Sequence, residues 1–247
     1  MIEFERCEKK FGEKVAVHPL DLLISRGEFF AFLGPNGAGK TTTLKMAAGL
    51  LRPTSGRVLI AGIDMGADPI GAKKILAYVP DQPYLYDKLT GREFLRFVAG
   101  LYGLDPTETR AEIDRLIGVF EMGDWIEELT ETYSHGMKQR VALSATLLHR
   151  PQVILLDEPL VGLDPQTARL VKGILRDQAS KGTTIFMSTH VLSVAEQTAD
   201  RIGILDRGKI IALGSVDELR ARAGTAANLE DAFFRILEGQ GGGGGQP

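Results

Sequence analysis

Within the first fifty residues, apolar positions first alternate with polar ones, then form a continuous run, and then recur at helical spacing. Ile2 to Phe11 and Val15 to Ile24 alternate around a short polar turn, which predicts two paired strands. The continuous apolar run Phe29 to Leu33 is typical of a strand that is buried on both faces. A glycine-rich segment follows, and Lys40 to Leu51 has the pattern of a helix. The order strand, glycine-rich loop, helix is therefore predicted near the N-terminus.

The spacing becomes helical throughout from about residue 91 to 150. Apolar residues recur three and four positions apart between Glu93 and Leu101 and again between Ile113 and Phe120. Asp105 followed by Pro106 predicts the start of a helix, with an N-cap and a proline in the first turn. The apolar positions after Ser134 predict another helix, which reaches Arg150. We expect a helical subdomain here, inserted into the rest of the fold.

Beyond residue 150, short apolar runs alternate with helical segments. Asp164-Pro165 predicts one helix start, and Ser215 with Glu218 forms a capping box at another. The predicted strands are 153–156, 183–188, 202–205 and 210–213, and the predicted helices are 165–180, 191–199, 215–223 and 228–238. This alternation indicates an α/β fold with a mostly parallel sheet, joined to an N-terminal antiparallel β subdomain. Residues 239–247 contain six glycines and no apolar residue, so we expect a disordered tail.

Composition narrows the class of protein. The chain has 247 residues, of which 44% are hydrophobic, and its formal net charge is -3. This charge argues against a protein that wraps nucleic acid, which needs a basic surface. A single cysteine, Cys7, excludes an internal disulfide framework and favours a reducing compartment. No apolar run reaches the length of about eighteen residues that a membrane span needs, so we expect a soluble chain.

The glycine-rich segment matches the pattern G-x-x-x-x-G-K-[ST], known as Walker A. Its glycines allow backbone N–H groups to converge on phosphate oxygens, and the following helix adds the positive end of its dipole. The lysine is expected to reach the β- and γ-phosphates, and the Thr41 hydroxyl to bind Mg²⁺. The candidate ATP-binding residues of this loop are Gly34, Pro35, Asn36, Gly37, Ala38, Gly39, Lys40, Thr41 and Thr42. The sequence therefore predicts a P-loop NTPase core.

A pair of carboxylates ends a second buried strand. The run Val153 to Leu156 leads directly into Asp157 and Glu158, the pattern known as Walker B. An aspartate at this strand end can hold Mg²⁺, and the glutamate is placed to act as a general base toward water. Because ligands of parallel sheets bind at the carboxyl ends of the strands, we expect both motifs to meet there.

Together these motifs make the chain resemble the ATP-binding subunit of an ABC transporter, over residues 1 to about 238. Five further segments match that family in order and spacing, one of them being Tyr78 to Gln82 at the Q-loop. Phe11 stands where the family has an aromatic residue that stacks on adenine, and Asp164 lies in a segment that resembles the D-loop. His190 resembles the switch histidine that contacts the γ-phosphate. Tyr133 to Met137 stands in place of the signature, about twenty residues before Walker B.

The signature and the Q-loop depart from the family pattern. Ser134 and Gly136 match the signature, whereas His135 replaces a glycine and Met137 replaces the glutamine. The histidine either adds charge when it is protonated or fills space, and we prefer the space-filling interpretation. Tyr78 to Pro80 places Asp81 where the family has glutamine. Either Asp81 makes the Mg²⁺ or water contact, or Gln82 does so after a shift of one residue. We prefer Asp81 from the register.

The resemblance implies a function and a set of partners. It implies an ATPase with ATP and Mg²⁺ as cofactors, peripheral on the cytoplasmic face of the membrane, which powers separate permease subunits. It also implies a head-to-tail dimer, either a homodimer or a heterodimer with a related chain, in which Ser134 and Gly136 act in trans. The form of the signature is most similar to bacterial efflux-type ATPases. No nucleic-acid partner is expected, and the alternative is a soluble ABC-type ATPase in cofactor assembly or nucleic-acid and ribosome processes.

Overall fold

The protein is described by a computed structural model that covers residues 1–224 and 228–241. The strands are β1 (Ile2–Phe11), β2 (Lys14–Ile24), β3 (Phe29–Leu33), β4 (Ser55–Ile60), β5 (Ile63–Asp64), β6 (Leu76–Val79), β7 (Val153–Asp157), β8 (Thr184–Thr189), β9 (Arg201–Asp206) and β10 (Lys209–Gly214). The helices are α1 (Lys40–Ala47), α2 (Pro69–Lys74), α3 (Gly91–Leu101), α4 (Pro106–Val119), α5 (His135–Leu147), α6 (Pro165–Ser180), α7 (Leu192–Thr198), α8 (Val216–Arg222) and α9 (Leu229–Gly241). No helix of the described ranges is long and apolar enough to cross a membrane.

The strands form two sheets. The antiparallel sheet has the order β2-β1-β4-β5, and the larger sheet has the order β10-β9-β3-β8-β7-β6. In the larger sheet all neighbouring pairs are parallel except β10 with β9. The prediction of a mostly parallel sheet with an N-terminal antiparallel subdomain is therefore confirmed. Since β3 lies between β8 and β9, the glycine-rich loop begins at the middle of the sheet.

The central strand β3 separates two buried clusters. Phe30 and Phe32 pack with Phe4 and Leu44, on the face that carries α1 and the antiparallel sheet. The alternate residues of β3 belong to a second cluster, which also contains the apolar faces of α3, α4 and α5. The helical region at residues 91–150 therefore shares its core with the sheet, and this fixes α5 relative to the strand ends.

Three predicted helix ends differ from the structure by three or more residues. The first helix ends at Ala47 instead of Leu51, because Gly49 has a φ of 65° and leaves the helical conformation. Helix α5 ends at Leu147, before Arg150, whose φ is 49°. Helix α9 runs to Gly241, three residues past its predicted end and into the segment predicted to be a disordered tail. Residues 242–247 of that predicted tail lie outside the described residues.

Between residues 52 and 90 no element is predicted, yet the structure has β4, β5, α2 and β6 there. Strand β4 begins with exposed polar residues, so it lacks the apolar signal of a buried strand. Helix α2 has six residues and buries only Ala72, which leaves no apolar stripe. Its start does carry a signal, because Asp68 caps the helix and Pro69 is its first residue, as at the predicted starts of α4 and α6.

Candidate ATP-binding and hydrolysis site

The glycine-rich loop joins the end of β3 to the start of α1. Gly39 precedes the helix with a φ of 108°, and a Cβ there would come within 2.7 Å of the Ala16 carbonyl oxygen. Glycine is therefore required at this position by both the backbone conformation and the available space. Helix α1 begins at Lys40, so the unpaired N–H groups of its first turn lie at the loop, where an anion can bind.

A cavity of about 520 Å³ lies against this loop. Phe11 is half exposed at the end of β1 and lines the cavity, with the Lys9 ammonium 5.1 Å from its ring centroid. The other lining residues are Lys14, Val15, Ala16, Asn36, Gly37, Ala38, Gly39, Lys40, Thr41, Thr42, Asp81, Glu158 and Arg207. The structure therefore places the predicted adenine-stacking residue and most of the predicted phosphate-binding residues around one space.

Lys40 is buried beneath the loop. Its ammonium donates to the carbonyl oxygens of Gly34 and Pro35, at 2.7 and 3.2 Å. It also lies 3.7 Å from a carboxylate oxygen of Glu158. Burial lowers the pKa of Lys40, while the nearby Glu158 and Asp157 carboxylates oppose that shift. The lysine is thus the cation that links the loop to the acidic pair.

Asp157 ends β7 and is 1% exposed. Its Oδ1 accepts hydrogen bonds from the hydroxyls of Thr41 at 3.0 Å and of Ser188 at 2.5 Å. Its Oδ2 is buried without a hydrogen-bond partner among the described residues. Burial raises the pKa of Asp157, and the two hydroxyl donors act in the opposite direction.

The buried, unpartnered Oδ2 of Asp157 indicates whether this site can hold Mg²⁺. Mg²⁺ prefers oxygen ligands and is held at nucleotide sites by one or two protein groups together with phosphates and waters. The Thr41 hydroxyl and the Asp157 carboxylate are such oxygens, already in contact with each other. A buried carboxylate oxygen without a donor is also the group that a cation would stabilise. These residues therefore fit the ion.

Glu158 follows Asp157 in a left-handed backbone conformation, with a φ of 49°. Its N–H donates to the Ser188 carbonyl oxygen at 3.1 Å, which anchors the turn to the neighbouring strand β8. Its Oε1 lies 3.0 Å from the His190 Nδ1, and its Oε2 accepts from the His190 backbone N–H at 3.3 Å. The glutamate predicted to act as a base and the predicted switch histidine are therefore in direct contact.

A second cavity, of about 540 Å³, continues from the first. It is lined by Asn36, Asp81, Gln82, Pro83, Tyr133, His135, Lys138, Glu158, Val161 and His190. Asp81 lines both cavities, whereas Gln82 lines only the second one. Of the two candidates for the Q-loop contact, Asp81 is thus the one that shares the first cavity with Lys40 and Thr41.

Ser134 and Gly136 line neither of these two cavities. Ser134 is the exposed N-cap of α5 and accepts from the Met137 N–H at 3.3 Å. Asp164 is the exposed N-cap of α6, and hydrogen bonds from Thr167 keep its pKa below the ordinary value. Within this chain the structure therefore does not bring these predicted site residues to the glycine-rich loop.

Several residues near the site were not predicted, and three of them are polar residues with a clear place in it. Ser188 donates to Asp157 and accepts from the Glu158 N–H, and a serine within an apolar strand two positions before His190 was an available signal. Lys138 lines the second cavity, one turn into α5, and Arg207 lines the first. Arg207 lies in the turn between β9 and β10, far along the chain from any motif, so only the fold brings it there.

The sequence model of the family described as ABC transporter matches residues 17–161, more than half of the chain. The chain belongs to the ABC transporter family. The predictions of this family and of the P-loop NTPase fold are therefore confirmed.

Relatives within the ABC transporter family match nearly the whole chain. It is 38% identical to the probable multidrug ABC transporter ATP-binding protein YbhF of Escherichia coli K12, over 96% of this chain and 42% of YbhF. It is 35% identical to the linearmycin resistance ATP-binding protein LnrL of Bacillus subtilis 168, over 95% of this chain and 78% of LnrL. The chain thus spans less than half the length of YbhF.

Solved structures agree with this assignment. An ATP-binding subunit of an ABC transporter superposes with a TM-score of 0.90 and 32% identity, over 96% of this chain and 99% of the other. A dimeric post-hydrolysis state of the ATP-binding cassette MJ0796 with ADP and phosphate gives 0.79 and 28% identity, over 87% and 98%.

Proposed function

We propose that this chain hydrolyses ATP to power a membrane exporter, bound peripherally at the cytoplasmic face to separate permease subunits. The observation that carries the proposal is the position of the Glu158 carboxylate, which lies between Lys40 of the phosphate loop and His190. The names of the relatives YbhF and LnrL, which refer to multidrug transport and linearmycin resistance, support export as the direction.

The nucleotide occupies the cavity beside the glycine-rich loop in this proposal. Phe11 stacks on the adenine ring, and residues 34–42 surround the phosphates. Thr41 and Asp157 hold Mg²⁺, with Asp81 as the Q-loop contact. When bound, Mg²⁺ neutralises charge on the phosphate oxygens.

Glu158 is the general base. Its carboxylate accepts a proton from a water molecule, whose oxygen forms a bond to the γ-phosphorus while the bond to the ADP oxygen breaks. His190 holds the carboxylate in place through both its ring and its backbone N–H, and lies where it can also contact the γ-phosphate. Lys40 offsets the negative charge of the phosphates.

A second cassette completes the site. Ser134 and Gly136 lie at the exposed N-terminus of α5, so a head-to-tail dimer can bring them to the γ-phosphate of the other chain, with Asp164 at the interface. The dimeric form of the similar cassette MJ0796 supports this arrangement. ATP then holds the two chains together, and hydrolysis releases them.

The substitution Glu158→Gln tests this cycle. The variant keeps the shape of the side chain but loses the base, so turnover should fall about 100- to 10,000-fold while ATP still binds. Size-exclusion chromatography in ATP and Mg²⁺ should then show a stable dimer. Glu121→Gln is the matched control, because Glu121 is exposed and has a similar φ, 52°, away from the site. A monomeric Glu158→Gln chain in saturating ATP, or one with nearly normal turnover, would contradict the proposal.

The permease docks beside the Q-loop in this proposal. Tyr84, Tyr86 and Phe97 are 77, 49 and 41% exposed and pack edge to face, next to an apolar cavity of about 220 Å³. An exposed aromatic cluster next to an apolar groove suits the side of a partner helix. This aromatic cluster lies close to Asp81 along the chain, so binding of the permease and binding of the nucleotide can affect each other.

Substituting both Tyr84 and Tyr86 by serine should therefore reduce recovery of a multi-span membrane protein when the chain is isolated from native membranes in mild detergent. Ile70→Ser is the matched control, since Ile70 is 71% exposed on α2. Equal recovery with the tyrosine variant and with the control would refute this docking surface. Recovery of soluble factors alone, with the unchanged chain, would refute the transporter function.

A further inference from the structure

The first two turns of α5 are tied to the loop that follows Glu158. The His135 Nε2 lies 3.1 Å from the Val161 carbonyl oxygen. Four residues on, the Gln139 side-chain amide is buried and donates to the Pro159 carbonyl oxygen at 3.1 Å. Residues four apart lie on one face of a helix, so these contacts form one row. The helix that carries the signature is therefore bonded to the chain segment between the base and the D-loop.

The histidine is fitted to this loop. A carbonyl oxygen can only accept, so the Nε2 of His135 must carry the hydrogen of this bond. The ring also lies over Gly162, where a Cβ would come within 3.2 Å of the His135 Cδ2. His135 therefore makes a specific hydrogen bond, whereas the sequence led us to expect only that it fills space.

The contact continues to the base in one further step. The Val161 N–H donates to the Glu158 carbonyl oxygen at 3.2 Å, closing a turn. His135 thus contacts Val161, and Val161 is bonded to Glu158. Glu158 is the first residue of this turn and has a left-handed conformation, so the turn constrains the backbone from which its carboxylate projects.

We propose that His135 is a positioning residue that aligns Glu158 of its own chain, by fixing the Pro159 to Asp164 loop to the signature helix. A movement of α5 caused by the nucleotide of the other chain then changes the direction of this chain's own base. The inference rests on the proposed ATPase cycle, but the contact itself lies within one chain. A role in trans, with His135 touching the other chain's phosphate, is the competing outcome.

The first experiment needs neither a dimer nor a nucleotide. Amide hydrogen exchange is measured on the nucleotide-free chain and on the variants His135→Leu, which keeps bulk without a donor, and His135→Gln, which keeps an N–H donor. The expected result is exchange of the Val161 and Leu163 amides that is about three- to tenfold faster with leucine, the effect of one hydrogen bond. Glutamine should give exchange close to that of the unchanged chain. Identical exchange in all three chains would overturn the proposal.

The second experiment separates action in cis from action in trans. Dimers of two differently tagged chains are isolated, one of them carrying Glu158→Gln, so that a single site remains live. When His135→Leu is placed in the chain that retains Glu158, kcat should fall about three- to tenfold at unchanged KM for ATP. When it is placed in the Glu158→Gln chain, the rate should equal that of the reference dimer. The reverse pattern would establish action in trans and overturn the proposal.

The two experiments also separate this inference from the proposed function. If the reference dimer does not form or does not hydrolyse ATP, the dimeric cycle is refuted, and the exchange measurement alone decides whether His135 holds the loop. If the dimer is active and exchange is unchanged by leucine, the cycle stands and the role of His135 is refuted.

Discussion

Gly136 is the second residue of α5, and its φ lies outside the left-handed region. Apart from its own helix, a Cβ at this position would have one neighbour within 4 Å among the described residues, the Leu163 Cδ2 at 3.6 Å. That is an ordinary van der Waals contact. No contact among the described residues of the chain therefore requires glycine at position 136. The substitution Gly136→Ala tests whether the nucleotide bound to the other chain requires it.

The two possible effects have opposite signs. Alanine in place of glycine stabilises a helix by about 0.5–1 kcal/mol, which for a chain of this size raises Tm by about 1–4 °C. If the γ-phosphate of the other chain approaches Gly136 closely, the added methyl group costs about 1–3 kcal/mol at that contact. Hydrolysis then falls about five- to 150-fold. We expect a variant that is more stable but less active.

The assays are thermal unfolding without nucleotide, steady-state ATP hydrolysis, and binding of a fluorescent ATP analogue to the monomer. Binding should be unchanged, because Gly136 does not line the cavity beside the glycine-rich loop. Gly118→Ala in α4 is the matched control, since a Cβ there meets nothing within 4 Å. It should raise Tm similarly and leave hydrolysis at the normal rate.

Two results would refute this reasoning in different ways. A lower Tm for Gly136→Ala would mean that the chain itself needs glycine there, contrary to the contacts described. A raised Tm with normal hydrolysis would mean that no phosphate approaches this residue, and the head-to-tail site would lose its main support.

Two further predictions concern the glycine-rich loop and the acidic strand end. Asp157→Asn should stabilise the nucleotide-free chain at pH 7.5, because burial raises the pKa of Asp157 and its ionisation therefore opposes folding. The gain in Tm should shrink as the pH falls toward about 4, the ordinary pKa of a carboxyl group. Hydrolysis that depends on Mg²⁺ should be lost in this variant. Gly34→Ala should lower the free energy of unfolding by about 1–3 kcal/mol in urea titrations, because a Cβ would lie 2.3 Å from the Leu205 carbonyl oxygen; a stability equal to that of the unchanged chain would contradict this.

Short sequence signals correctly predicted the elements whose starts are determined by neighbouring residues. The Asp164-Pro165 pair placed α6 at Pro165–Ser180, as observed, because capping and proline geometry act within one turn. The pattern that predicted the glycine-rich loop likewise lies within a few neighbouring residues. Of the elements missed between residues 52 and 90, β4 and α2 bury few side chains, although Asp68-Pro69 gave the same start signal as α6. Strand β6 is buried but has only four residues.

The contacts of the site were less predictable than its residues. Glu158 and His190 could be assigned from motifs, but their 3.0 Å contact depends on β7 and β8 being neighbours in the sheet. The bond between His135 and Val161 joins residues 26 positions apart through the packing of α5 on the core, and no local pattern encodes it. The fold must be known before such a contact can be proposed.

The left-handed conformation of Glu158 has an evolutionary consequence. Glutamate in this region costs about 1–2 kcal/mol relative to glycine, and asparagine tolerates it better. The backbone conformation alone would therefore favour glycine or asparagine at this position, so the acid is kept for hydrolysis at a cost in backbone energy. Among homologous chains that have lost ATPase activity, replacements at this position should be biased toward these two residues, and such chains should be more thermostable than their active relatives.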